Sequence, residues 1–254
     1  MRRLLDARVL ALALLVALLG AWELVVRQAG ISALVLPAPS AVAQTLWRTL
    51  ASGYLWPHIA TTLAEMLLGL LAGGVAGLGM GIALAESALL DRVLKPYVIV
   101  SQVVPKLALA PLFVLWFGFG LMPTIVMTAL ICFFPLMENT LTSLRQVDPN
   151  RLQLFRMLGA TRAQTLWRLK LRAGLPGILA GLRVALVLAL VGAVVGEFIG
   201  ASRGLGAVII AAQGMMDTPL MFAALTAIAA IGLLCYQATL LLERRLLRPY
   251  SDPT

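Results

Sequence analysis

Charged residues are scarce in this chain of 254 residues: they make up only 12% of it, while 61% of the residues are hydrophobic. Soluble domains carry about 25% charged residues, so a soluble protein of ordinary composition is excluded. Several apolar stretches reach the ~20 residues that a helix needs to cross a bilayer. The ~10-residue alternating segments of a transmembrane barrel are missing. We therefore expect an all-α membrane protein.

Residues that bind metals or act as nucleophiles are also few. His58 is the only histidine, and the two cysteines, Cys132 and Cys235, both lie inside apolar stretches. A zinc site, a His-based catalytic triad and a disulfide framework are therefore disfavoured. The phosphate-binding string GxxxxGK[ST] is absent as well. We predict that the chain is not an enzyme and binds no metal or cofactor.

The basic residues, which give a net charge of +9, are concentrated on one side of the predicted spans. We predict six spans, at about residues 9–27, 59–84, 96–117, 121–142, 177–200 and 219–242. Only Arg27, Arg48 and Arg203 then lie on the opposite side, and Lys106 lies within a span. An excess of Lys and Arg marks the cytoplasmic side, so both termini are predicted to be cytoplasmic. This distribution indicates contact with membrane lipid rather than with nucleic acid.

Glycine recurs every four residues in the second predicted span. Residues at this spacing share one helix face, and small residues there allow a second helix to approach closely. The string GLGMG in this region does not follow a strand, so a phosphate-binding loop is disfavoured. The predicted packing residues are Gly69, Gly73, Gly77 and Gly81.

The third predicted span is irregular, because Pro105 and Pro111 interrupt its helical hydrogen bonds and Lys106 adds a charge between them. Irregular backbone persists at membrane depth where it is buried in protein or lines a watery path. A charge inside the membrane costs ~3 kcal/mol or more, which makes Lys106 a functional candidate. It either lines the translocation path or pairs with Glu138 or Glu197.

The longest polar segment, residues 143–176, carries the signals of two short helices. Asp148 suits an N-cap and Pro149 the first helical position. Gly159 supplies the left-handed residue that ends the first helix. Thr161 and Gln164 have the spacing of a capping box, which begins the second helix.

An apolar stripe runs along the first of these helices, formed by Leu152, Phe155 and Leu158. A ~10-residue helix is marginal alone in water, so this one needs a partner surface. A basic loop on lipid headgroups needs no such caps, and a DNA-reading helix pair would not be tethered between spans. A protein partner is favoured. Pro176 is expected to end the second helix before the next span.

Four stretches together resemble the permease subunits of ABC importers, in the group that handles nitrate, sulfonates, taurine and pyrimidine precursors. They are LPAPSAVAQTL, VPKLALAPLFVLWFGFG, FFPLMENTLTSLRQVDP and LGATRAQTLWRLKLRAGLPG. The resemblance covers nearly the whole chain. It implies one transmembrane domain over residues 1–254, with the type I importer fold and a cytoplasmic coupling loop at 143–176.

The resemblance also implies the partners. In the family, the coupling helix docks into a cleft of a cytoplasmic ATPase subunit, which binds ATP and Mg, and an extracytoplasmic binding protein delivers the solute. This chain keeps the motif at Gly159 and Leu171 but has Gln153, Leu154 and Phe155 where the motif has Glu-Ala-Ala. The residues expected to couple to the ATPase are Gln153, Leu154, Phe155, Arg156, Leu158, Gly159, Ala160 and Thr161.

Two charged residues of the fifth span, Arg183 and Glu197, occupy positions that the family pattern shares. They either pair between helices, which we favour, or contact the solute. The outer loop GASRGLG, together with Asp217, is either a docking site for the binding protein or an ordinary turn.

We therefore predict a multi-pass permease in a prokaryotic plasma (inner) membrane, acting as a homodimer, with a second related permease chain left open. The favoured solute is a pyrimidine-type vitamin precursor, with sulfonate, taurine or nitrate as alternatives. A secondary transporter would want inverted repeats, which are not evident. An intramembrane enzyme lacks its residues, and a non-transporting scaffold leaves Lys106 unexplained.

Overall fold

The computed structural model describes the backbone of residues 2–247 and the side chains of residues 9–247, and this part of the chain is built from helices. Five helices are long and apolar enough to cross a membrane, and a bent pair makes a sixth candidate. The predicted number of six spans agrees with this. In chain order the helices are α1 (Arg2–Gln28), α2 (Pro39–Ala51), α3 (Leu55–Glu86), α4 (Ala88–Val103), α5 (Ala110–Phe117), α6 (Leu121–Arg145), α7 (Pro149–Met157), α8 (Arg162–Thr165), α9 (Leu171–Gly200), α10 (Leu205–Gly214) and α11 (Thr218–Leu247), with a 3-10 turn at Lys106–Leu109 and a π-turn at Leu166–Lys170.

The third span is bent by 79° between Ala88–Val103 and Lys106–Phe117. Pro105 lies at the bend, and because proline has no backbone N–H, the series of helical hydrogen bonds is interrupted there. Pro111 does not interrupt a helix: it lies in the first turn of α5, where proline is tolerated. The predicted start at residue 96 was wrong, because Ser87 caps α4 by accepting a hydrogen bond from the Leu90 N–H, and Pro96 lies inside that helix.

The prediction that Pro176 ends a helix was also wrong. Helical structure runs without interruption over Arg162–Gly200, 39 residues, and Pro176 lies within α9. Membrane helices tolerate proline where neighbouring helices and local π adjustments compensate for the lost hydrogen bond, and a π-turn directly precedes α9. The second short polar helix, α8, and the fifth span consequently form one continuous rod, while α7 lies on the other side of the Gly159 turn.

The glycine face of α3 lies against α6. A Cβ atom added to Gly81 would stand 2.6 Å from the Met137 carbonyl oxygen, closer than real Cβ atoms approach. Added Cβ atoms at Gly69, Gly73 and Gly77 would likewise collide with α6. The bare backbone at these four positions is therefore what allows α3 and α6 to pack this closely.

Small residues also place α9 at the centre of the bundle. Ala185, Ala189 and Ala193 are fully buried at four-residue spacing and belong to the largest apolar core, with residues of α3, α10 and α11. The helix α10, absent from the predicted spans, packs into this core through Leu205 and Val208. At 10 residues it is too short to cross a membrane, which is why a search for spans passes over it.

The two ends of this bundle differ and are named here by a glycine in each. The Gly159 end holds the last residues of α3 and α6 together with α7, α8 and the π-turn. The Gly204 end holds the first residues of α3 and α6, the end of α9 and the start of α10. Because α3 and α9 run the full length between them, they connect the two ends.

Candidate functional site

The segment between α6 and α9 forms the two capped helices that its sequence predicts. The Asn150 N–H donates to the Asp148 carboxylate at 2.8 Å, and Pro149 takes the first helical position. Gly159 has φ of +67°, and the Ala160 N–H donates to the Phe155 carbonyl at 3.0 Å, which ends α7. A left-handed residue here is easy for glycine and costly for branched side chains.

A complete capping box begins α8. The Gln164 N–H donates to the Thr161 hydroxyl at 3.2 Å, and the Thr161 N–H donates to the Gln164 side-chain oxygen at 2.9 Å. The predicted box is confirmed. These caps satisfy backbone donors that would otherwise be open at the helix start, so the turn after Gly159 has a defined shape.

The apolar stripe on α7 is only partly covered. Leu152 and Phe155 are half-buried, whereas Leu158 is 73% exposed. The other predicted coupling residues mostly face outward: Gln153, Leu154, Arg156, Gly159 and Thr161 are exposed, and Ala160 is half-buried. We call α7, Gly159 and α8 the docking segment. It presents a shaped, partly apolar surface with several basic side chains.

Two salt bridges at the Gly159 end connect the π-turn to α3 and α6 to α4. Lys170 Nζ lies 2.6 Å from Glu86 Oε1, linking the π-turn to the last residue of α3. Arg145 contacts the Asp91 carboxylate at 2.9 Å and donates to the Leu84 carbonyl at 3.2 Å. The end of α3 is thereby held from two sides.

A buried polar cluster lies at the Gly204 end around Glu197, which is 2% exposed. The Thr62 hydroxyl donates to Glu197 Oε1 at 2.6 Å and accepts from the Leu205 N–H at 2.9 Å. The Gly206 N–H donates to the other carboxylate oxygen at 2.5 Å. Three helices, α3, α9 and α10, are joined through these bonds.

Glu65 and His58 belong to the same cluster and were not among the predicted site residues. Glu65 is fully buried next to Glu197, and its carboxylate accepts no hydrogen bond within the described part of the chain. The Gly204 N–H donates to His58 Nδ1 at 3.2 Å. Glu65 stands four residues before Gly69, so it continues the glycine spacing, and that spacing is the signal that would have found it.

The remaining predicted charges are dispersed along the bundle. Arg183 forms an ion pair with Glu243 of α11. Lys106 does not pair with Glu138 or Glu197; its ammonium lies 4.5 Å from the centre of the Phe134 ring. Glu138 is exposed. The expected pairing partners of Lys106 were therefore wrong, because the bend at Pro105 directs its side chain onto an aromatic ring of α6.

An open cleft of about 460 Å³ adjoins the polar cluster. Phe119, Phe198 and Ile210 form apolar parts of its wall, and Glu197 and Ser202 provide polar groups. Among the residues described, no three His, Cys, Asp or Glu side chains lie close enough together to hold a metal ion. The polar features thus divide into an exposed docking segment at one end and a buried cluster beside a cleft at the other.

A search of protein-family models decides which family this bundle represents. Residues 69–248 match the model described as "Binding-protein-dependent transport system inner membrane component". The chain belongs to this family. It is the permease subunit of an ABC importer, located in a membrane.

Curated relatives of the permease are similar over most of their length. It is 40% identical to the riboflavin transport system permease protein of Chloroflexus aurantiacus over 92% of this chain and 87% of that one. It is 35% identical to the taurine transport system permease protein of Escherichia coli, over 93% and 88%. It is 34% identical to the formylaminopyrimidine transport permease protein of Halalkalibacterium halodurans, over 89% and 90%.

Solved structures support the fold of the permease. A structure of the MetNI methionine ABC transporter in an inward-facing conformation matches 76% of this chain and 98% of that chain, with a TM-score of 0.69 and 20% identity. An amino acid ABC transporter matches with a TM-score of 0.60 and 21% identity, over 77% and 97%. The predicted type I importer fold is confirmed by these matches.

Proposed function

We propose that the docking segment binds a separate cytoplasmic ATPase subunit and transmits its motion to the bundle. The observation that carries this proposal is the shape of the segment: two capped helices around Gly159 with an incompletely covered apolar stripe. Because the sequence lacks a GxxxxGK[ST] string, ATP and Mg bind to the partner rather than to this chain. Closure of an ATPase pair would then move the docking segments as rigid bodies.

The orientation follows from the charges. Basic residues of the docking segment, the π-turn and α11 lie at the Gly159 end; they include Arg156, Arg162, Arg168, Arg244 and Arg245. An excess of Lys and Arg is typical of the cytoplasmic side, which supports the proposed orientation with the Gly159 end and both termini inside a prokaryotic cell. Residue 1 and residues 248–254, at the termini themselves, lie outside the described residues.

In this orientation the Gly204 end faces the extracytoplasmic side. The loop after α9 and the exposed Asp217 before α11 are then accessible to a solute-binding protein. The cleft beside Glu197 opens at the same end. A solute released by the binding protein would therefore enter the permease next to the buried polar cluster.

The assembly that we propose contains two copies of the permease. The α4–α5 pair exposes a broad apolar surface: Tyr97, Val100, Leu115 and Trp116 are each more than 60% exposed. Lys106 lies at the bend of the same pair. Such an apolar surface is suited to an interface between two permease chains. The charged Lys106 at the bend is suited to line a solute path at that interface.

The proposed solute is a small planar molecule that contains a pyrimidine ring, such as a vitamin or its precursor. Riboflavin and formylaminopyrimidine both contain that ring, and they are named for relatives that are 40% and 34% identical to this chain. Relatives named for taurine and aliphatic sulfonates are 35% identical, so sulfonates are the competing class.

Solute competition in a reconstituted system tests this choice. The permease, its ATPase and its binding protein would be placed in vesicles, and uptake of labelled riboflavin and, in separate samples, of labelled taurine or an alkyl sulfonate would be measured against unlabelled competitors. We expect riboflavin or formylaminopyrimidine to compete, and taurine and nitrate not to. Uptake of taurine or an alkyl sulfonate with no effect of the pyrimidines would contradict the proposed solute while leaving the docking proposal intact.

A further inference from the structure

A salt bridge between Glu86 and Lys170 ties the π-turn, which directly follows the docking segment, to the end of α3. Both side chains are largely buried, 26% and 18% exposed, and the ammonium nitrogen and carboxylate oxygen are 2.6 Å apart. The bridge joins residues 84 positions apart in the chain. It therefore links two structural units rather than stabilising one helix locally.

Lys170 lies at the end of a π-turn, which changes the direction of side chains around the helix axis. Leu166–Lys170 forms a π-turn between α8 and α9. One extra residue in a turn rotates the side chains beyond it by about 100° around the helix axis relative to those before it. Lys170 is directed onto α3, while Arg168, two residues earlier in the same turn, remains exposed. Residues two apart in a helix point about 200° apart around its axis, so Arg168 and Lys170 face nearly opposite sides.

Glu86 occupies an unfavourable position for an acid. It is the last residue of α3, and the C-terminal end of a helix carries a partial negative charge. Lys170 offsets that repulsion from one side, and Arg145 donates to the Leu84 carbonyl from the other. Because α6, which carries Arg145, is packed against the glycine face of α3, a force applied at Glu86 acts on the α3–α6 pair as a unit.

We propose that the Glu86–Lys170 pair is a strut that transmits displacement of the docking segment to α3, with both residues acting as positioning residues for coupling. This inference rests on the proposed binding of the docking segment to an ATPase. Thr62 lies 24 residues before Glu86 on α3, a length of about 36 Å, and bonds to Glu197 in the polar cluster. Motion at the Gly159 end thereby reaches the Gly204 end through α3 as well as through the rod that contains α9.

The test uses the complete transporter with its ATPase and binding protein in vesicles, and measures solute transported per ATP hydrolysed. The variants are E86K, K170E and the exchanged pair E86K/K170E. R168E is the matched control, because Arg168 lies in the same π-turn and is exposed. We expect each single variant to lower the ratio about fivefold, the exchanged pair to restore it within about twofold, and R168E to leave it unchanged.

Two further measurements separate coupling from folding and from docking. Thermal unfolding reports stability, and co-purification with the ATPase reports docking. An unchanged ratio in the single variants, even with lowered stability, would overturn the strut, as would failure of the exchanged pair to restore the ratio. Loss of ATPase co-purification in K170E but not in R168E would also overturn it, since Lys170 would then belong to the docking surface itself.

If the charge-reversed variants do not fold, variants with a neutral side chain at the same positions test the strut instead. E86Q and K170Q remove the charge at nearly constant size, and K170R keeps it. We expect the ratio to fall in E86Q and K170Q and to be maintained in K170R. If instead no ATPase co-purifies with the unaltered permease, the proposed function fails, and this outcome is distinct from any of those for the strut.

Discussion

The two ends of the bundle contrast in how their polar groups are satisfied. At the Gly159 end the caps of Asp148 and Thr161 lie on exposed helices, and the apolar Leu158 is 73% exposed. At the Gly204 end Thr62, Glu65 and Glu197 are buried by packed helices, and Thr62 and Glu197 accept hydrogen bonds from backbone N–H groups. The capped helices at the Gly159 end are mostly exposed, whereas the polar side chains at the Gly204 end are buried between helices.

Because of this contrast, we expect substitutions at the two ends to affect different properties, coupling at the Gly159 end and stability at the Gly204 end. Exposed caps contribute little to packing of the bundle, so changes in the docking segment should alter coupling more than stability. Buried hydrogen bonds leave unsatisfied partners when they are removed, at about 1–3 kcal/mol each, so changes in the polar cluster should lower stability first. Each of the following substitutions lies either in the docking segment or in the polar cluster and tests the effect expected for that end.

The largest effect is expected for Gly159→Val in the docking segment. Valine at φ of +67° is strained by about 1–2 kcal/mol or more, and relief of that strain would change the angle between α7 and α8. We expect solute transported per ATP to fall about tenfold, while the free energy of unfolding falls by no more than this strain. Gly159→Asn is the control, because asparagine tolerates the left-handed conformation. Normal coupling in the valine variant would count against the docking role.

A large loss of stability is expected for Thr62→Val in the polar cluster. The change removes the donor to Glu197 and the acceptor for the Leu205 N–H while conserving volume, at a cost of about 2 kcal/mol or more. A lower Tm of the detergent-solubilised permease would report it. Thr61→Val is the matched control, because the Thr61 hydroxyl bonds only to the Pro57 carbonyl in its own helix. Equal losses of stability in both variants would refute a special role for the cluster.

A smaller effect is expected for Leu158→Ser on the exposed stripe. Burying a leucine against a partner contributes about 1.5–3 kcal/mol, so loss of part of that contact should weaken ATPase binding about fivefold without changing Tm. Met157→Ser is the control, since Met157 is 84% exposed and lies beside the stripe. Binding that is equally weak in both variants would show that the stripe is not the contact surface.

The smallest effect is expected for Thr161→Ala, which removes the cap of α8. The cost is about 1 kcal/mol and is confined to the first turn. Hydrogen exchange should quicken at the Gln164 amide, while global unfolding stays the same. Thr165→Ala is the control, because that hydroxyl only donates back to the Thr161 carbonyl within the same turn. Unchanged exchange at Gln164 would show that the cap does not hold the turn.

The sequence predicted the locally determined parts of this structure well. Span number and the caps at Asp148 and Thr161 depend on nearby residues, and so does the positive φ at Gly159. Continuation of helix through Pro176 was missed, because it depends on a π-turn and on surrounding helices. Long-range contacts such as those of Lys106 with Phe134 and of Thr62 with Glu197 required the fold itself.

The buried cluster was the least predictable feature. Glu197 was recognised through its family position, whereas the place of Glu65 in the glycine spacing was missed and Thr62 resembles an ordinary polar residue of an apolar helix. Only the closeness of α3 to α9 and α10 brings them together. The helix α10 escaped prediction because its 10 residues are shorter than a span.

The central claim is that ATP hydrolysis on a partner drives transport through this bundle from its Gly159 end. The most direct measurement is uptake of labelled solute into vesicles that contain the permease, its ATPase and its binding protein, with ATP and with an imposed proton or sodium gradient in separate samples. We expect uptake only with ATP, and its loss in the Gly159→Val variant. Uptake that follows the ion gradient and is indifferent to ATP would contradict the claim.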